Sequence, residues 1–194
     1  MIYEGQDGQR IVSIRIPNTA GFLVSAFLRS LNFQEHPVTS LYPVDAKCLT
    51  YRELQRSVRK RDQAEATDME DYFTFTFVRN PYARLWSWWE MNEQKDFKSW
   101  VMSIPEQLEE NEHACKGFLR PQSDYMSPHI NRIGHYENLV TDFISITSDM
   151  GLYTPELDEF VKENPEYREH YDDEARDVMI QVYHTDLSHY GYTF

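Results

Sequence analysis

Two stretches of the chain carry residue types suited to gripping anions. In "TFVRNPYARLWSWW", Arg79 follows a run with strand character, and Ser87 comes eight residues later, about two helical turns on. A guanidinium offers a planar fork of donors matched to a phosphate, and a serine hydroxyl adds another. Pro81 shapes the turn between them. Arginines after strands also cap helices or form salt bridges, so both readings stay open at this point. In "SIRIPNTAGF", an apolar run through Ile11, Val12, Ile14 and Ile16 breaks at Pro17 and passes Asn18, Thr19, Ala20 and Gly21 into a second apolar run. Backbone N–H groups at such a helix N-terminus bind anions without any basic side chain. Gly21 lets the backbone come close. The loop does not match Gly-x-x-x-x-Gly-Lys-Ser/Thr, which disfavours a nucleoside triphosphatase.

Periodicity outlines the elements that must position these residues. "YFTFTFV", residues 72–78, alternates aromatic and β-branched residues and reads as a strand. Residues 11–16 read as a buried strand, followed by a helix from about Ala20 to Leu31 with apolar residues almost all round. "LTYRELQRSVRKRD" reads as a helix whose Thr50 and Glu53 form a capping box. "NPYARLWSWWEMNEQK" is a helix with Pro81 in its first turn. "HPVTSLYPV" suits a short edge strand, and residues 97–112 one or two short helices. "INRIGHYENL" adds a strand, "LVTDFISITSDMGL" a helix ending near Gly151, and the tail a helix opened by acidic residues that suit its dipole. Residues 153–170 are the most loop-like. Strands alternating with helices imply an α/β fold with a mainly parallel sheet, and 194 residues fit one domain spanning 1–194.

The net charge of −13 argues against nucleic acid, an anionic membrane or a highly sulfated polymer as partner. Cys48 and Cys115 give neither a disulfide framework nor a metal spacing. The apolar stretch from Ala20 to Leu28 is too short to span a bilayer. With no signal-peptide core in "MIYEGQDGQR", a cytoplasmic protein is expected. Arg52, Arg56, Arg59, Lys60 and Arg61 form a basic run, read either as a landing site for phosphates or as a solvated face. Trp86, Trp88 and Trp89 suit either a stacked ring ligand or the core.

The chain resembles the carbohydrate-type, family-2-like sulfotransferases that use 3′-phosphoadenosine 5′-phosphosulfate (PAPS). "IRIPNTAG" is similar to the family's loop for the 5′-phosphosulfate, and "FTFVRNPYARLWSWW" to its element for the 3′-phosphate. "RPQSDYM", "IGHYENLVTDF" and "YHTDLSHYGYTF" resemble later family segments in the same order. The resemblance implies a P-loop NTPase-like, three-layer α/β fold with PAPS across the carboxyl ends of the parallel strands. It implies that Arg79 and Ser87 hold the 3′-phosphate and that Pro17, Asn18, Thr19, Ala20, Gly21 and Phe22 surround the 5′ end. It implies PAPS as co-substrate, adenosine 3′,5′-bisphosphate (PAP) as product, no metal, and a carbohydrate or other hydroxyl acceptor.

The likeness breaks at the catalytic charge. Asn18 stands in the slot of the family lysine that meets charge building on the oxygen between phosphate and sulfate. Losing one such donor costs on the order of 10²–10³ in rate. Phe22 and Leu23 replace the small hydroxyl residues that follow the glycine. Cys48 stands in the slot of a family histidine, and His113 is the histidine nearest the Pro-Gln segment; these two are the candidate bases. A thiol with a pKa of about 8.5 is a poorer base near neutrality than an imidazole at about 6.5. The alternative reading is therefore a protein that binds PAP or PAPS without turnover.

Overall fold

Short strands with alternating burial build the sheet that carries the two anion-suited stretches. The structure is a computed structural model describing residues 1–36, 48–61, 69–92, 96–110, 116–153 and 165–194. Among these, β1 (Ile2–Glu4), β2 (Arg10–Ile14), β3 (Gln34–His36), β4 (Phe73–Val78) and β5 (Arg132–His135) form one sheet in the order β3-β1-β2-β4-β5. Strands β2, β4 and β5 run parallel, with Ile14 opposite Thr76 and Val78 opposite His135. β1 lies antiparallel to both β2 and β3. The sheet is thus mixed, with the expected parallel arrangement in its centre.

Eight described helices follow: α1 (Gly21–Ser30), α2 (Tyr51–Arg61), α3 (Pro81–Asn92), α4 (Phe97–Met102), α5 (Ile104–Glu110), α6 (Lys116–Leu119), α7 (Leu139–Asp149) and α8 (Asp173–His189). Period-2 alternation sorts the strand residues between two faces. Tyr3, Ile11, Phe75 and Phe77 pack against Phe27 and Leu28 of α1 and Phe143 of α7. Ile2, Val12, Ile14 and Val78 pack on the other face with Tyr51 and Leu54 of α2 and with Tyr125. Three layers result. A further core joins α3, α4 and α8, and the tryptophans belong to it: Trp86 stacks on His170 at 3.7 Å and on Trp89 at 5.0 Å, and Trp88 stacks on Trp100 at 5.2 Å.

The capping box of α2 forms as its sequence requires. Thr50 N donates to Glu53 Oε2 at 2.9 Å, and Glu53 N donates to Thr50 Oγ1 at 3.2 Å. Arg52, Arg56, Arg59 and Lys60 are exposed along that helix. The sheet edge is Gln34–His36, which meets the expected edge strand "HPVTSLYPV" at His36; residues 37–47 lie outside the described residues. Within the segment read as loop, Pro165–His170 forms a 3₁₀ turn, and residues 154–164 lie outside the described residues.

One glycine is fixed by packing. A Cβ on Gly134 would sit 2.4 Å from Phe77 Cε1, in a ring that is itself buried. Gly134→Ala is expected to destabilise by about 2–3 kcal/mol through overpacking. A lowered urea midpoint at unchanged slope would show it.

Candidate functional site

Because β2 and β4 are parallel neighbours, both anion-suited stretches emerge at the same end of the sheet. They touch. Arg79 Nη1 donates to Asn18 O at 3.3 Å, and Asn18 Nδ2 donates to Arg84 O in α3 at 3.5 Å. The loop before α1 has an unusual backbone: Asn18 and Ala20 are both left-handed, at φ 61° and 67°, and Thr19 between them is not. Left-handed residues of this kind are a feature of the backbone nests that bind anions. The loop leads into α1, whose first turn has no capping side chain and no acidic residue. By contrast, Thr50, Asp96 and Asp172 cap α2, α4 and α8.

The loop's side chains do less than its backbone. Thr19 is buried, and its hydroxyl donates to Ile16 O at 2.8 Å. Phe22 is 75 % exposed. Asn18 suits its slot because asparagine tolerates the left-handed region better than most residues, and its amide is turned to α3. Gly21 lies against a neighbour that the sequence reading passed over: a Cβ there would lie 2.7 Å from Arg15 Nε.

Arg79 is only 5 % exposed, yet it forms no ion pair among the described residues. Its guanidinium lies over the Tyr136 ring, 4.1 Å from the centroid. Burial pulls its pKa below the ordinary arginine range, with Tyr136 and Glu137 acting the other way; an arginine stays charged regardless. Arg84 is also buried, at 1 % exposure. Its Nη atoms donate to Phe118 O and Arg120 O at 3.1 and 3.0 Å, and its Nε has no partner among the described residues. An acidic protein therefore concentrates buried cations at one end of its sheet.

Contacts from three further elements hold Arg79 in place. The Gln122 amide clamps its backbone, accepting from Arg79 N at 2.9 Å and donating to Arg79 O at 2.8 Å. Gln122 N and Ser123 N in turn donate to the two carboxylate oxygens of buried Asp186 in α8, at 2.7 and 2.8 Å. Gln122 is fully buried, at 0 % exposure, and acts as a clamp. Glu137 accepts from Asn80 N at 2.8 Å and from the Tyr192 hydroxyl at 3.0 Å, bracing the junction from the 3₁₀ turn that follows β5. Arg120, preceding the Pro-Gln pair, forks onto Glu53 at 3.1 and 3.3 Å. Although burial opposes it, that contact together with Thr50 holds the Glu53 carboxyl below its ordinary range.

Ser87 is half-buried in α3, one turn beyond Arg84. Cys48 lies beside the loop: a Cβ on Gly117 would be 3.5 Å from Cys48 Cβ and 3.6 Å from Pro17 Cγ. His113 lies outside the described residues. Among the described residues, no group of histidine, cysteine and acidic side chains could hold a metal, and no helix is long and apolar enough to cross a membrane.

The sulfotransferase family (family 2) matches residues 5–193. The chain belongs to the sulfotransferase family. Neither a curated protein nor a solved structure matches it. As a sulfotransferase-family protein it has the P-loop-like fold, and the match reaches past the two junctions to the closing tail. That tail has a structural task here: Thr193 O accepts from Asn80 Nδ2 at 2.9 Å, and Phe194 packs on Tyr82 at 4.9 Å.

The sequence reading missed Arg15, Arg84 and Asp186. The alternation of β2 carries a signal for Arg15, since Ile11, Ser13 and Arg15 share a parity. Nothing local announces Asp186, whose partners lie more than 60 residues away in sequence.

Proposed function

We propose that this sulfotransferase-family protein binds PAPS and transfers its sulfuryl group to a hydroxyl of a carbohydrate or small glycoconjugate. Arg79 is the observation that carries the reading. A buried guanidinium without a carboxylate partner among the described residues, bonded across to a left-handed loop, is a cation awaiting an anion. Unpaired burial of charge costs several kcal/mol, and a bound phosphate offsets it. In this reading Arg79 and Ser87 hold the 3′-phosphate. The N–H groups from Asn18 to Phe22 hold the 5′ end, with Pro17 shaping the entry.

The acceptor oxygen bonds to sulfur as the sulfur–oxygen bond to the 5′-phosphate breaks. The electron pair leaves with that phosphate as PAP, and the hydroxyl proton passes to Cys48 as its thiolate, the candidate base that lies beside the loop.

A second reading, binding without turnover, is favoured by the Asn18 amide, which is spent on Arg84 O and carries no charge. Incubation with sulfur-labelled PAPS and a panel of sugars and small alcohols separates the two. Labelled product that disappears in Arg79→Ala is the result expected. PAP binding with no product from any acceptor selects the second reading, and no nucleotide binding at all overturns both.

A further inference from the structure

We propose that Arg15 supplies, at the sulfuryl end of the donor, the positive charge that Asn18 lacks. The inference rests on the PAPS reading above. The residue lies just past β2, and its Nε packs on Gly21, where a Cβ would come within 2.7 Å. The guanidinium thus rests on the first residue of α1, beside N–H groups that no side chain caps.

Among the described residues, Arg15 makes no hydrogen bond or ion pair. Glu35, whose field opposes that of Arg15 at the Tyr3 hydroxyl, is paired instead with Arg29 at 3.6 Å. Arg15 is half-buried, so its charge is only partly screened by water.

The two cations flank the loop. Arg79 reaches it from the β4 side and bonds Asn18 O, while Arg15 meets it at Gly21 under α1. A nucleotide held by its 3′-phosphate at Arg79 extends its 5′ group across the loop toward Gly21 and Arg15. As the sulfur–oxygen bond breaks, negative charge gathers on the 5′-phosphate oxygen that was bridging. N–H donors of a fixed guanidinium meet that charge as the family lysine would, from a different chain position. The loop then keeps a left-handed asparagine at position 18 without giving up the cation.

Calorimetric affinities for PAP and adenosine 3′-monophosphate test this, because the two ligands differ by the 5′-phosphate whose oxygen carries that charge. Arg15→Gln is expected to weaken PAP binding about tenfold or more while adenosine 3′-monophosphate changes less than about twofold, and Arg15→Lys should keep most of the PAP affinity. An unchanged ratio between the two ligands in Arg15→Gln, whether both weaken or neither does, overturns the inference and leaves the donor reading standing. Wild-type protein that binds neither ligand overturns both. Should Arg15→Gln fail to fold, Asn18→Lys in the wild-type background decides. The site already holds a cation, so PAP affinity should rise less than about tenfold, and a hundredfold rise contradicts the proposal.

Discussion

Arg79→Ala is expected to weaken PAP binding at least about 100-fold while the protein melts within a few degrees of wild type. Truncating one partner of a buried, hydrogen-bonded charge pair costs about 2–5 kcal/mol, and each 1.4 kcal/mol is tenfold in affinity. The unbound protein loses little. It gives up one 3.3 Å bond to Asn18 O and the contact with Tyr136, and is relieved of a desolvated charge that forms no ion pair among the described residues. Stacking of a cation on a ring is worth about 0.5–2 kcal/mol, and the desolvation relieved offsets it. The 3′-phosphate should account for the loss: adenosine 5′-monophosphate, titrated in parallel, should bind wild type and variant alike. Equal weakening of both ligands would mean that Arg79 supports the fold of the site rather than the phosphate. Arg79→Lys should recover only part of the affinity, because an ammonium cannot reproduce the planar fork.

Asp186→Ala is expected to do the reverse, costing about 3 kcal/mol of stability. The carboxylate is fully buried and takes Gln122 N and Ser123 N at 2.7 and 2.8 Å. Removing it orphans two N–H groups at about 1–3 kcal/mol each. Gln122 is the residue that clamps the backbone of Arg79, so PAP affinity should fall as well, by a smaller factor than in Arg79→Ala. Urea unfolding with an unchanged slope and a lowered midpoint measures the first effect, and calorimetry the second. A fully stable variant would contradict the clamp. Asp186→Asn keeps one acceptor oxygen but turns an amide N–H toward a backbone donor, and should fall between the two.

What was legible in the sequence was local. Alternation in "FTFTFV", the proline opening α3, and the Thr50–Glu53 box each depend on residues within one turn or one strand, and each forms as its pattern requires. β1 and the described part of β3 before His36 were not legible, since "IYE" and "QEH" are held by register with a neighbour rather than by alternation. Proximity of the two junctions followed from the parallel pairing of β2 with β4, which the succession of elements implied. The Gln122–Asp186 clamp could not be read, because it joins a 3₁₀ turn to a distant helix. Asn18 illustrates a different limit. Sequence shows the lost charge, whereas its left-handed backbone and its bond to Arg84 O explain why asparagine is at home there.

A crystal structure with bound PAP tests the central claim most directly. The account predicts the 3′-phosphate within hydrogen-bonding distance of the Arg79 guanidinium and the 5′-phosphate on the backbone N–H groups between Asn18 and Phe22. Nucleotide bound elsewhere, or with its two phosphates exchanged, would contradict it.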